Sequence, residues 1–288
     1  MSNFTIVNNE RSILGESPIW DELLQRIYWV DIEGKILHAW SYLDNKKLSW
    51  DFENRPCAIS LTNKNNILLC AFDTYFAYFN IENKNIEKLQ NQVTLPNNVR
   101  FNDGKTDGYG RFWCGTMSES NPSKPVGALY MIDNKLEICE VVKSIHISNS
   151  ITSSFDNRYL YYADTYKKLI FKADLNNKKP HLGKSSIIVD NTNLKGFPDG
   201  STIDRDGFLW NAEWNGGQVV KYDKHGKIIN TIKTPMMKPT CVAFGGPNMN
   251  KLFITSAKDI NNDKDDISGK TICISTNVQG QLSNRFST

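Results

Sequence analysis

Five polar residues stand out by type and spacing: Glu16, Arg100, Asn102, Asn149 and Asp199. Each lies a similar distance ahead of a strand-like apolar run. Glu16 is 11 residues before Ile27, Asn149 is 10 before Tyr159, and Asp199 is 9 before Phe208. Asn102 and Arg100 are 10 and 12 before Phe112. Two carboxylates and an amide oxygen are hard ligands carrying a charge of −2, which suits a divalent cation. Without a cation Glu16 and Asp199 would repel, and one would take up a proton. A lone Asp or Asn before a strand is usually a turn former; the shared slot favours a site. The same slot holds Pro56-Cys57 and Thr240-Cys241. A soft thiolate pair could recruit zinc instead, although cysteine in such a strand is more often filler.

The elements that must position these residues follow from the apolar pattern. Alternation with period two dominates, in RIYWVDI (26–32), NILLCAF (66–72), RFWCGTM (111–117), RYLYYAD (158–164), GFLWNAEW (207–214) and KLFITSA (251–257). Their first apolar residues are Ile27, Ile67, Phe112, Tyr159, Phe208 and Leu252. The intervals are 40, 45, 47, 49 and 44, averaging 45, and six such units nearly fill 288 residues. Strand-like segments precede and follow each run. The pattern predicts an all-β, six-bladed β-propeller of four-stranded antiparallel blades, spanning residues 1–288 as one domain. A β-sandwich would not need six copies of one strand grammar. Phe4–Val7 is the expected strand that completes the last blade, and Asp259–Ser268 an exposed loop within it. A propeller turns the first strand of each blade toward a central channel, so residues in one slot converge there as a metal site.

Composition narrows the function classes. Thirty-four Lys plus Arg against 31 Asp plus Glu leave +3, with no concentrated basic patch for nucleic acid. The longest apolar run, Ile67 to Phe72, is too short to cross a bilayer. Residues 1–10, MSNFTIVNNE, lack a secretory signal, so the expected location is cytoplasmic. The six cysteines form no CxxC pair and the four histidines no HExxH pattern, which disfavours zinc ribbons and histidine metal chemistry. The cysteines are expected to be buried apolar groups.

The chain resembles the family of senescence marker protein (regucalcin), gluconolactonase and luciferin-regenerating enzyme. The resemblance rests on LGESPIW (14–20), RIYWVDIEGKI (26–36), RFNDGKTDGYGRFWCGTM (100–117), GALYMID (127–133), SNSITSSFDNRYLYYADT (148–165), FPDGSTIDRDGFLWNAEWNGGQVVKYD (197–223) and PTCVAFGGPNMNKLFITSA (239–257). It implies a metal-dependent hydrolase that opens sugar lactones of the gluconolactone or aldonolactone type. One divalent cation is implied, Ca²⁺, Zn²⁺, Mg²⁺, Mn²⁺ or Fe²⁺. The implied metal ligands are Glu16, Asn149 and Asp199, with Asp199 also the general base; Arg100 and Asn102 are the implied substrate contacts. A phosphotriesterase-like hydrolase and a non-catalytic calcium-binding or scaffold propeller are the alternatives. Two departures stand out. The family has Gly where this chain has Ser150, and a positive φ there would be strained. The family's second substrate-contacting Glu falls on Ser120, with Glu119 one position early.

Other polar residues are expected to be structural. His146 has odd parity relative to Asn149 and so faces away as a packed histidine. Asp103 caps a turn, while Asp31 and Asp164 end strands and bind backbone. Trp20, Trp29, Trp113, Trp210 and Trp214 pack between blades. Asp263, Asp265 and Asp266 belong to a solvated loop without the Gly and Glu of an EF-hand.

Overall fold

The computed structural model describes residues 4–176, 181–260 and 266–287. Asp263 and Asp265 of the expected sixth-blade loop lie outside them, and Asp266 is exposed. Among the described residues the strands form six four-stranded antiparallel sheets, five made of consecutive strands and the sixth of the last three strands with the first, as propeller blades are. The leading strands start at Gly15, Pro56, Val99, Ser148, Phe197 and Pro239, at intervals of 41, 43, 49, 49 and 42. The six apolar runs form the second strands: Arg26–Asp31, Ile67–Phe72, Phe112–Ser118, Tyr159–Asp164, Leu209–Trp214 and Lys251–Ser256. Phe4–Asn8 pairs antiparallel with Thr271–Ser275, Phe4 opposite Ile274 and Ile6 opposite Ile272, and so completes blade six as expected. No helix among the described residues is long and apolar enough to cross a membrane.

Burial is graded across each sheet. Gly15–Asp21, Ser148–Ser153 and Pro239–Gly245 are buried at every position, whereas the fourth strand of blade five, Ile228–Lys233, is almost wholly exposed. A leading strand therefore has no solvent face on which to place polar side chains cheaply, so those it carries are held by specific partners.

The chain divides into two compact units. The first, Met1–Arg55 with Asn193–Ser283, holds blades one, five and six. There the leading strand of blade six lies against those of blades one and five. Trp20 stacks on Phe253 with centroids 5.6 Å apart, and Trp210 meets Phe244 edge-on at 5.5 Å. The second unit, Pro56–Thr192 with Asn284–Thr288, holds blades two, three and four. Phe76 of blade two lies 4.2 Å from Phe101 of blade three, and Trp113 packs with Ile151 and Leu160 of blade four. Each aromatic contact of this kind adds about 0.5–1.5 kcal/mol to the burial of its rings.

The repeat also repeats its polar staples. In DGYGRFW, Asp107 Oδ2 accepts from Arg111 Nε at 2.8 Å and Trp113 Nε1 at 2.7 Å. In DRDGFLW, Asp204 Oδ2 accepts from Trp210 Nε1 at 2.9 Å and Lys221 Nζ at 2.8 Å. Both carboxylates are fully buried and fully paired, which is what their desolvation requires. Asp31 likewise accepts from the backbone of Ile13, Leu14 and Gly34, as expected for a strand-ending residue. Two expectations need correction. Trp214 is only half-buried, with Lys238 Nζ 5.7 Å from its ring centroid, because it ends its strand beyond the packed interior. Four cysteines are buried, but Cys139 and Cys273 are half-buried because they lie on the fourth and third strands of their sheets, away from the leading strands.

Candidate functional site

Each leading strand carries an irregularity in its pairing with the second strand. The breaks fall between Glu16 and Ile19, Pro56 and Ala58, Phe101 and Gly104, Asn149 and Thr152, Pro198 and Ser201, and Pro239 and Val242. The polar slot of the sequence coincides with these bulges. A bulge leaves a residue outside the ladder and re-aims its side chain, so the slot is where a buried strand can present a functional group. Ser17 and Ser150 follow Glu16 and Asn149 with φ of 51° and 56°, which is the positive φ expected at Ser150.

In the second unit three of the five candidates meet. Arg100 Nη1 donates to Asn102 Oδ1 at 2.8 Å and to the carbonyl of Phe101 at 2.8 Å. Asn102 Nδ2 donates to Asn149 Oδ1 at 2.9 Å and to the carbonyl of Ser148 at 3.1 Å, linking blade three to blade four. Asn149 Nδ2 is in turn anchored on Thr165 Oγ1 at 2.9 Å. This chain fixes both amides: the oxygen of Asn149 keeps a second lone pair, and Nη2 of Arg100 makes no hydrogen bond to the described residues. Glu119 Oε1 lies 3.9 Å from Arg100 Nε, so a carboxylate stands beside the guanidinium although it is one position before the motif site at Ser120. The cue lies in the pairing: Arg100 is opposite Met117, and Glu119 is two residues further along. Asp103 is fully buried, and its Oδ2 accepts from the Ile151 N–H at 2.9 Å. Burial pushes its carboxyl above the usual range, against the opposing pull of Lys105 and the Ile151 and Gly104 amides. It therefore clasps the blade-four bulge, a longer-range role than the expected turn cap.

In the first unit Glu16 and Asp199 are both buried. Glu16 Oε2 accepts from the Ser17 N–H at 3.0 Å. Its neighbour Gly15 receives the Thr240 hydroxyl on its carbonyl. The Asp199 carbonyl accepts from Asn211 Nδ2 at 2.9 Å, and a Cβ on Gly200 would collide with Cys241 Sγ. Cys241 thus fills the space that Gly200 leaves, the filler role, and burial likewise raises the Cys114 and Cys70 thiols in the other unit. No group of three or more His, Cys, Asp or Glu gathers as a metal centre among the described residues. The expected set of two carboxylates and one amide has a different composition. Its donors are chemically fit for a hard cation: two buried carboxylates, and an amide oxygen with a lone pair to spare.

Over residues 14–258 the chain matches the family described as SMP-30/Gluconolactonase/LRE-like region. It belongs to that family. Regucalcin of Xenopus laevis is 35% identical over 261 residues, covering 88% of this chain and 86% of that protein. L-arabinolactonase of Azospirillum brasilense is 31% identical over 257 residues, covering 88% and 84%. Among solved structures, the calcium-binding regucalcin of Agrobacterium tumefaciens superimposes with a TM-score of 0.92 at 26% identity, over 99% of this chain and 97% of that one. The proteins similar to this chain thus include one named for lactone hydrolysis and one described as calcium-binding.

Proposed function

We propose that this chain is a metal-dependent hydrolase of sugar lactones, of the gluconolactonase or aldonolactonase type. The observation that carries the reading is the chain of hydrogen bonds Arg100–Asn102–Asn149 on bulged, buried strands, in a family that contains lactonases. Glu16, Asn149 through Oδ1, and Asp199 would hold one divalent cation, Ca²⁺, Zn²⁺, Mg²⁺, Mn²⁺ or Fe²⁺. Such a cation supplies Lewis acidity toward a carbonyl and lowers the pKa of bound water. Arg100 offers its Nη2 donors to the sugar, and Asn102 holds the guanidinium in place from its own fixed amide. Asp199 takes the proton of the attacking water as its oxygen joins the lactone carbon. Nearby Glu119 sits where it can accept from a sugar hydroxyl. The substrate is a small polar molecule; nucleic acid is not proposed as a partner, and the proposed location is the cytoplasm.

A panel of lactones assayed by acid release, after chelation and re-addition of single metals, tests this. Chelation should abolish turnover and one of the five metals restore it. Asp199→Asn should lower kcat/KM about 1,000-fold, within the range of a lost general base. Full activity of that variant, or faster turnover of an organophosphate than of any aldonolactone, would overturn the assignment. A second reading, calcium binding without catalysis, is favoured by the likeness to the calcium-binding regucalcin of Agrobacterium tumefaciens. It gains if calcium binds and no lactone opens.

A further inference from the structure

The hydrogen bonds that join blades three and four run in one direction, and the groups at their ends force it. A guanidinium only donates, and a backbone carbonyl only accepts. Asn102 stands between the two, with Arg100 Nη1 at 2.8 Å from one end of its amide and the Ser148 carbonyl at 3.1 Å from the other. Its oxygen must therefore face Arg100 and its nitrogen blade four. The same nitrogen lies 2.9 Å from Asn149, so the atom it meets there must be the oxygen. The Asn149 nitrogen is left to Thr165 Oγ1, at 2.9 Å. Arg100 sets the direction and Asn102 hands it on.

An asparagine by itself has no such direction. The two ends of its amide are nearly alike in size, but only the oxygen has a lone pair for a cation. Arg100, Asn102, Ser148, Asn149 and Thr165 are all buried, so a lost partner is not readily replaced by water. An Asn149 amide turned over would set its N–H groups against those of Asn102, donor against donor. Asn102 also spends both of its N–H donors on blade four, one on Ser148 and one on Asn149, and keeps none for a substrate.

The local structure serves the same end. Asn102 and Asp103 both lie within the break in pairing between Phe101 and Gly104. Released from strict alternation, these consecutive residues both reach blade four. Asn102 takes the side chain of Asn149, and Asp103 Oδ2 takes the Ile151 N–H at 2.9 Å. Between them they hold the blade-four bulge by side chain and by backbone. Thr165 is fixed in turn by its own N–H, which donates to the Ile147 carbonyl at 3.0 Å.

We propose that Asn102 is a positioning residue for the cation: by fixing the direction of the Asn149 amide, it keeps Oδ1 rather than Nδ2 available as a ligand. The proposal rests on the cation reading of Asn149 given above. It concerns affinity for the ion, which can be measured without any turnover.

The test is a double-mutant cycle read by calorimetry, with Ca²⁺ and, separately, Mn²⁺ titrated into chelator-treated protein. N102L keeps the size of the side chain and removes both polar ends. With Asn at position 149 it should weaken binding about tenfold or more, as loss of a partner behind a metal ligand does. In the N149D background both terminal atoms are oxygens and there is no direction left to fix. There N102L should change Kd by less than about threefold. Equal losses in the two backgrounds would mean that Asn102 only supports the fold, and would overturn the proposal; so would no loss in either. If N102L fails to fold, side-chain amide NMR of the wild-type protein decides. The Asn149 amide protons should show stronger Overhauser contacts to Thr165 than to Asn102, with and without the ion, and the reverse order would overturn the proposal. A wild-type protein that binds neither ion ends the proposal together with the cation reading. One that binds an ion but opens no lactone fails the lactonase reading alone.

Discussion

His38 shows how a single buried group writes itself into the pH dependence of the whole chain. It stacks on Trp29 at 5.2 Å in the first unit, with Glu10 Oε2 3.6 Å from Nδ1. Burial holds its pKa below the usual 6.5, against the opposing pull of Glu10, Asp31 and Asp51. The unfolded chain therefore binds a proton near pH 6.5 that the folded chain resists. Stability contributed by the neutral ring is complete above that pH and is lost as pH falls toward the lowered native value. Urea denaturation between pH 8 and 5 should show the wild type losing stability below about pH 6.5, and His38→Phe losing less; parallel curves would assign the acid sensitivity elsewhere.

At the scale of the strand, the bulge is what turns a buried leading strand into a site. Asn149 can reach Asn102 because the ladder breaks just after it, and Ser150 bears the backbone cost with φ of 56°. A β-branched residue tolerates that conformation poorly, whereas glycine accepts it freely. Ser150→Gly should leave stability within about 1 kcal/mol of wild type, while Ser150→Val should cost about 2 kcal/mol or more in chemical denaturation. An equal effect of the two would mean that the neighbouring contacts, not the backbone, set the demand. The bulges themselves are not written in the apolar alternation. GESP, RFND, SNS and PDG mark the places, but period-two patterning carries no signal for an extra residue. The same loss of register information put Glu119 one position away from its expected role, although it stands beside Arg100. His146 was legible as a histidine of the opposite parity, and its carboxylate partner, 18 residues away in the next strand, was not.

At the scale of the whole molecule, closure of blade six depends on a strand from the opposite end of the chain. Phe4–Asn8 covers the edge of Thr271–Ser275 and places Val7 in the core of the first unit. Removing residues 1–9 should bare that edge, invite strand-to-strand association and lower Tm by at least about 5 °C. An unchanged melting curve and a monodisperse sample would show that the sixth blade stands without it. The C-terminal segment has no strand period, yet Phe286 is fully buried, with its N–H on the carbonyl of Leu61 at 2.8 Å, and Asn284 and Arg285 donate to the carbonyls of Thr106 and Thr62. Alternation cannot announce a segment held by isolated bonds to distant strands. By itself the sequence determined the number of blades, their period, the strand that closes the last and the polar slot of the leading strands, because side-chain periodicity and burial are local properties. Only the tertiary structure decided which slot residues touch, which carboxylate stands beside Arg100 and what holds His146, because those depend on bulges and on contacts between blades, where residues nearly 50 positions apart meet.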